Sequence, residues 1–325
     1  MKKIYFRSRG GGRQGWGNIF RLITIYKIFS KRKYDCLFIY EGNKEVFNHL
    51  KKSKIKSLRL KENITLLQEK KVLSKLDIAD ATFIEMLDCN IKRQNIYKNI
   101  SKKLIVYDDI LKNKYSADLI ICAQPKSKRK KIKNLFSDYL YYPLTDKFKR
   151  YLLKKKKINR KLKKVLVCLG GGSYNYAYSK FFKYFKKTNL QVSFILGPEN
   201  SQLYNFYKKK INNFKFYEYT NNLPKHIFQS DLVISGGGYL KIETAYLKTP
   251  MITIPVQKHQ LQLCKDFKNY CSIDYLPFAK NLNNINIQNS INKMSYKKRV
   301  YINRILNFKF KYKNSEKKIL NLISI

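Results

Sequence analysis

SDLVISGGGYLKIETAYLKTPMITIPVQKHQ, residues 230–260, holds a whole folding unit in one stretch. DLVIS is a continuous apolar run, the mark of a strand buried on both faces. Gly236, Gly237 and Gly238 turn the chain, YLKIETAYLKT has helical period, and MITIPV is a second buried strand leading to Gln257, His259 and Gln260. Strand, glycine turn, helix and strand make a βαβ unit, and such units imply a parallel sheet.

The same alternation runs along the chain. The first half contributes strand-like runs in KKIYFRS, YDCLFIYEG, IKSLRL, ADATFIEML, KKLIVYDD and ADLIICAQ, and the second in KKVLVCLGGG, QVSFILGPEN, FKFYEYT, SDLVISGGG and TPMITIPV. Amphipathic stretches such as NIFRLITIYKIFSK lie between them. The series is interrupted near 140–164, where YYPLTDKF precedes a lysine-rich stretch. The expected organisation is therefore an α/β domain over 1–148, a basic linker over 149–163 and a second α/β domain over 164–325, whose last helical segment packs back toward the first.

The 325 residues, 44% apolar and 14% aromatic, can fill two such cores. No apolar run approaches the ~18 residues of a membrane span, and MKKIYFRSRGGG has no apolar segment behind its basic start. The six cysteines are scattered through apolar runs without metal-site spacing, which reads as buried thiols in the reducing cytoplasm. A formal charge of +48 suggests nucleic acid. Against that, lysine far outnumbers arginine, the lysines run along the whole chain, and Lys, Asn, Ile, Tyr and Phe are abundant together as in A/T-rich coding sequence. An anionic membrane surface is the better partner, since each exposed Lys there contributes ~1 kcal/mol.

All 13 glycines follow apolar runs: 10–12, 15 and 17 follow IYF, 170–172 follow VLVCL, 236–238 follow LVIS, and Gly42 and Gly197 close two further runs. That edge of a parallel sheet is where ligands bind, and a helix beginning there offers unpaired N–H groups to phosphate. A P-loop is excluded, because GGGSYNYAYSK lacks the adjacent lysine. Gly10, Gly12 and Gly15 satisfy GxGxxG, but only Glu41 could close a neighbouring strand as the acidic partner. Glu243 has two readings: compensation of a helix dipole, or a carboxylate accepting both hydroxyls of a ribose while the Gly236–Gly238 amides hold a pyrophosphate.

On these residues the chain resembles a known family. SGGG with KIETAYLKTPMITIPVQKHQ is similar to the C-terminal domain of the family-28 glycosyltransferases, which include the muramyl-lipid N-acetylglucosaminyltransferases. It is more similar still to the nucleotide-sugar hydrolases of the pseudaminic acid pathway and related spore-coat polysaccharide proteins. GWGNIFR resembles their GxGHxxR element, LIVYDDILKNKYSADLIIC their DD…(Y/S)AD segment, and KVLVCLGGGSYN the opening of their second domain. The resemblance implies the GT-B arrangement, two Rossmann-like domains facing each other across a cleft, with uridine diphosphate held mainly by the second and no metal or other cofactor. It also implies that Glu243 binds the ribose, that Ser235, Gly236, Gly237 and Gly238 hold the diphosphate, and that Gln260 and His259 lie near the nucleotide or sugar. Gly171, Gly172 and Ser173 would line the cleft, with Gly15, Gly17 and Arg21 on the acceptor side.

One departure divides the functions. The relatives carry histidine where this chain has Asn18, and asparagine cannot accept a proton near pH 7. Asn18 also suits the N-cap of a helix starting at Ile19. Replacement bases are Asp108, Asp109 and Glu41 at strand ends, of which Asp109 joins Asn18 as the catalytic candidate, whereas His49 and His226 fall in helical segments. The expected function is transfer of a sugar from a uridine-linked donor to a membrane-associated or lipid-linked acceptor in surface-glycan synthesis, at the inner face of the membrane. The alternatives are hydrolysis of the nucleotide sugar, an inactive nucleotide-sugar binder, and a basic nucleic-acid binder.

Overall fold

A computed structural model describes residues 1–325 except 13–14, 127–130, 209–213, 219, 221, 312–314 and 325. Two residues of the first glycine-rich loop, half of the basic run 126–133 and Tyr219 of FKFYEYT thus lie outside the described residues. The chain forms two compact units, one of Met1–Pro125, Arg129–Pro143 and Lys313–Ile325, the other of Lys126–Lys128 and Leu144–Tyr312.

The first unit is a parallel sheet of β1 (Lys3–Gly10), β2 (Asp35–Gly42), β3 (Ser57–Leu60), β4 (Ala81–Glu85), β5 (Leu104–Tyr107), β6 (Leu119–Cys122) and β7 (Leu135–Ser137), in the order β3-β2-β1-β4-β5-β6-β7. Helices α1 (Gly17–Ser30), α2 (Lys44–Lys52), α3 (Leu66–Leu73) and α4 (Ile91–Lys98) connect its first five strands. Phe6 of β1 stands opposite Phe38 and Phe83 in register and packs on Tyr26 and Phe29 of α1, with centroids 5.5 and 6.1 Å away. The other face is filled by Tyr5, Ile39, Ile84 and Val106 against Leu73 and Tyr97. β7 was not read from the sequence, because its three residues, LFS, sit in a basic stretch without an apolar run.

The second unit has α5 (Asp146–Leu152), β8 (Lys164–Cys168), α6 (Asn175–Phe185), β9 (Gln191–Ile195), α7 (Ser201–Lys208), β10 (Phe214–Tyr217), α8 (Leu223–Gln229), β11 (Leu232–Gly236), α9 (Leu240–Tyr246), β12 (Met251–Ile254), α10 (Gln260–Cys271), α11 (Asn284–Asn292) and α12 (Tyr296–Lys309). Its parallel sheet has the order β10-β9-β8-β11-β12, and Phe182 of α6 packs 4.3 Å from Phe194 and 5.5 Å from Phe216. The last helix, α13 (Ser315–Asn321), belongs to the first unit, where it contacts α1 and fully buries Ile319 and Leu322.

The stretch expected as a linker, 149–163, is instead tied into the second unit. Its first residues complete α5; Lys156 donates to the Ser230 carbonyl at 2.6 Å and Asn159 to Asp231 at 2.7 Å. Buried Arg299 binds the carbonyls of Asn159 and Arg160, both at 2.9 Å.

In each sheet the strand order reverses once beside the first strand, between β1 and β4 and between β8 and β11. The crevice at such a reversal, beyond the carboxyl ends of the strands, is the ligand position of an open α/β sheet. The three glycine-rich loops follow β1, β8 and β11, so all three lie at these two places.

Candidate functional site

The loops at the reversal of the second sheet are fastened to one another. A side chain on Gly236 would collide with the Leu169 carbonyl, so the turns after β8 and β11 approach more closely than any residue but glycine permits. Buried Asn200, past β9, accepts the Tyr174 N–H at 3.0 Å and donates to the Gly172 carbonyl at 2.8 Å, fixing the loop that carries Gly171, Gly172 and Ser173. Gln257, past β12, donates to the Tyr174 hydroxyl at 3.1 Å, and the Tyr176 hydroxyl donates to the Val256 carbonyl at 3.0 Å. Four strand ends therefore share one braced rim.

The expected residues sit on that rim in different roles. Ser235 is fully buried at the end of β11 and donates to the Gly236 carbonyl. Gln260 is buried; its amide oxygen accepts the Val256 N–H at 3.0 Å, and its Nε2 lies 3.6 Å from where a side chain on Gly238 would begin. Glu243 is half-buried in the first turn of α9. His259 heads α10 without capping it by its side chain. Sequence reasoning missed Lys241: it is fully buried, and its ammonium donates to the Gly237 and Gly238 carbonyls at 2.6 and 3.0 Å.

Helix starts differ by position. Elsewhere Asn43, Thr65, Asn90, Asn283 and Ser295 accept a backbone N–H and cap their helices. The helices after the glycine-rich loops start on Trp16, Tyr174 and Tyr239 with no side-chain cap, as α5 and α8 also do on other residues.

In the first unit, Gly11 at φ +94 turns the chain back so that its N–H meets the Gly15 carbonyl at 2.9 Å. The turn starts α1 at Gly17, with Trp16 in the capping position. Asn18 is thus a half-buried residue of the first helical turn and not the N-cap expected of it. Trp16 is buried and, with Phe20, meets His49 edge-on at 5.7 and 5.2 Å; burial, helped by Lys27 and Lys52, lowers the His49 pKa. His226 lies elsewhere, tilted on Tyr217 at 4.2 Å.

Arg21, one turn into α1, organises the sheet edge. Buried beside the Tyr107 ring, it donates to Glu85 through Nε at 2.8 Å and pairs through Nη2 at 2.7 Å, while Nη1 donates to Asp109 at 2.8 Å. Asp109 also accepts the Ala123 N–H at 2.7 Å and the Gln124 amide at 3.4 Å. Three donors, Arg21, Ala123 and Gln124, thus hold the carboxylate that the sequence offers as a catalytic candidate. Asp108 accepts from Ile110, Leu111, Asn113 and Tyr115. Glu41 binds Arg7, Arg9 and the Asn63 N–H. Beneath it Glu69 is buried between Arg7 and Arg93; burial alone would raise its pKa, but Arg7, Tyr97 and Arg93 outweigh that and hold it below the usual range.

No group of three His, Cys, Asp or Glu among the described residues could hold a metal, and no helix among them is long and apolar enough to cross a membrane. Residues 153–319 match the model of the glycosyltransferase family 28 C-terminal domain. The chain belongs to that family. The family-28 region contains the whole braced rim of the second unit. A comparison with curated proteins found no match. Among solved structures, MurG of Acinetobacter baumannii is 12% identical, with 100% of this chain and 99% of that one covered at a TM-score of 0.66. The glycosyltransferase SsfS6 of Streptomyces sp. SF2575, in complex with thymidine diphosphate, is 8% identical over all of both chains at a TM-score of 0.68. The UDP-GlcNAc 2-epimerase of Neisseria meningitidis, bound to UDP-GlcNAc, is 11% identical over 99% of this chain and 100% of that one, at a TM-score of 0.57. These likenesses establish the fold, an α/β chain with two parallel-sheet Rossmann-like domains as in GT-B glycosyltransferases. Family and fold together support a transferase.

Proposed function

We propose that this family-28 chain transfers a sugar from a uridine-linked nucleotide to an acceptor in surface-glycan synthesis. The observation that carries the reading is the rim at the β8/β11 reversal, where four loops are fixed together within the family-28 region. In this reading the Glu243 carboxylate accepts the ribose hydroxyls and the Gly236–Gly238 turn, with Ser235, receives the diphosphate. Gly171, Gly172 and Ser173 face the donor from β8, and His259 and Gln260 adjoin the sugar. The first unit takes the acceptor at the loop of Gly15, Gly17 and Asn18. Stabilising the departing diphosphate is the main driving term, and Asn18 orients the acceptor by hydrogen bonding without removing its proton. The charge of +48 suits a lipid-linked acceptor at the cytoplasmic face of an anionic membrane.

The test is titration and turnover with uridine, thymidine, cytidine and guanosine diphosphates and their sugars. Glu243→Ala is expected to weaken nucleotide binding about tenfold or more, as for a lost pair of charge-assisted hydrogen bonds; unchanged affinity refutes the ribose assignment. Free sugar released without acceptor favours the pseudaminic-type hydrolase instead, and binding without turnover on any acceptor favours an inactive binder.

A further inference from the structure

We propose that Lys241 is a positioning residue that charges the Gly236–Gly238 turn for a diphosphate, an inference resting on the reading that this turn receives the donor's diphosphate. Lys241 stands in a helix buried on nearly every side, and on this lysine-rich chain it is 0% exposed. Its ammonium lies 2.6 Å from the Gly237 carbonyl, 3.0 Å from that of Gly238 and 5.6 Å from the centre of the Phe267 ring. In a trans peptide the N–H points opposite to the C=O. With both carbonyls turned to the ammonium, the N–H groups of Gly238 and Tyr239 face away from it. The Gly237 N–H is used by the Ile254 carbonyl at 2.8 Å, whereas the Gly238 N–H has no acceptor among the described residues.

An ammonium bound to the back of a peptide polarises it, so the N–H in front becomes a stronger donor. Its charge also acts through a buried, weakly screening medium. The turn therefore presents an outward donor backed by a fixed positive charge, and a second phosphate charge gains more from it than a neutral nucleoside does.

Calorimetric titration of the full chain with uridine, UDP, thymidine and dTDP tests this. Lys241→Met is expected to weaken UDP and dTDP about tenfold or more while nucleoside affinity stays within about twofold, a gap of about fivefold or more, worth ~1 kcal/mol. Lys241→Arg should retain most of the diphosphate advantage. Lys241→Gln keeps a donor for the carbonyls but no charge, and gives the same reading should the methionine variant not fold. Equal losses for nucleoside and diphosphate, or no loss for either, overturn the inference. A wild-type protein that binds nucleosides with no gain from the diphosphate refutes the parent reading and the inference with it.

Discussion

Replacing Asp109 by asparagine keeps the side-chain shape and removes the charge, which separates a carboxylate that organises the sheet edge from one that accepts a proton. In the wild type one oxygen accepts the Ala123 N–H at 2.7 Å; the other accepts Arg21 at 2.8 Å and Gln124 at 3.4 Å. An amide must turn its NH2 toward one of these donors. Each charge-assisted bond lost costs ~1.5–3 kcal/mol. Arg21 keeps both contacts to Glu85, so the cost stays below the ~3–5 kcal/mol of a buried charge left without a partner. We expect a loss of ~2–3 kcal/mol, which lowers the unfolding midpoint by roughly 5–10 °C in a domain of this size. Thermal unfolding followed by circular dichroism at neutral pH reads it directly. A variant that melts with the wild type but loses turnover would show that the carboxylate is available as a base, and the structural assignment would fall.

Other expectations concern different parts of the molecule. Asn18→His restores a proton acceptor in the first turn of α1, and release of free sugar from a bound nucleotide sugar is expected; nucleotide binding without release would mean that the loop holds this position out of reach of the sugar. Burial lowers the Lys156 pKa to about 8, while the unfolded chain keeps that proton to near 10.5. Between those values the unfolded state binds more protons and wild-type stability rises with pH, so the wild type should gain melting temperature relative to Lys156→Met between about pH 8 and 10; parallel curves would contradict this. All six cysteines are buried and free, and burial pushes Cys36, Cys89 and Cys168 up to about 12. The native protein should resist a disulfide-exchange reagent that titrates all six thiols in denaturant, and rapid labelling of these three without unfolding would refute their burial.

The sequence showed the strands and the glycine-rich loops because both follow from local pattern: an apolar run long enough to be a buried strand, then residues without a Cβ. It could not show what depends on partners far along the chain. Arg21 and Asp109 are 88 residues apart, and nothing in KKLIVYDD indicates that Asp109 is already held. Nothing in YLKIETAYLKT sets Lys241 apart from the chain's other lysines, because its burial depends on Phe267 and the turn beneath it. Asn18 has a good capping side chain, but the backbone turn from Gly11 to Gly15 starts the helix ahead of it. Glu243 and the SGGG turn could be singled out as a candidate site because chemistry and spacing coincide within a few residues.

The placement of α13 bears on how the protein is made. Arg32 pairs with Glu316 at 3.4 Å, Lys318 with Asp138 at 3.5 Å, and Ile319 and Leu322 fill the first unit with no exposure. A ribosome finishes β1 to β7 early, but the piece that covers them emerges only after the whole second unit has been synthesised. The first unit must therefore wait with an apolar face uncovered, and a fragment ending at Pro143 would keep that face open for good.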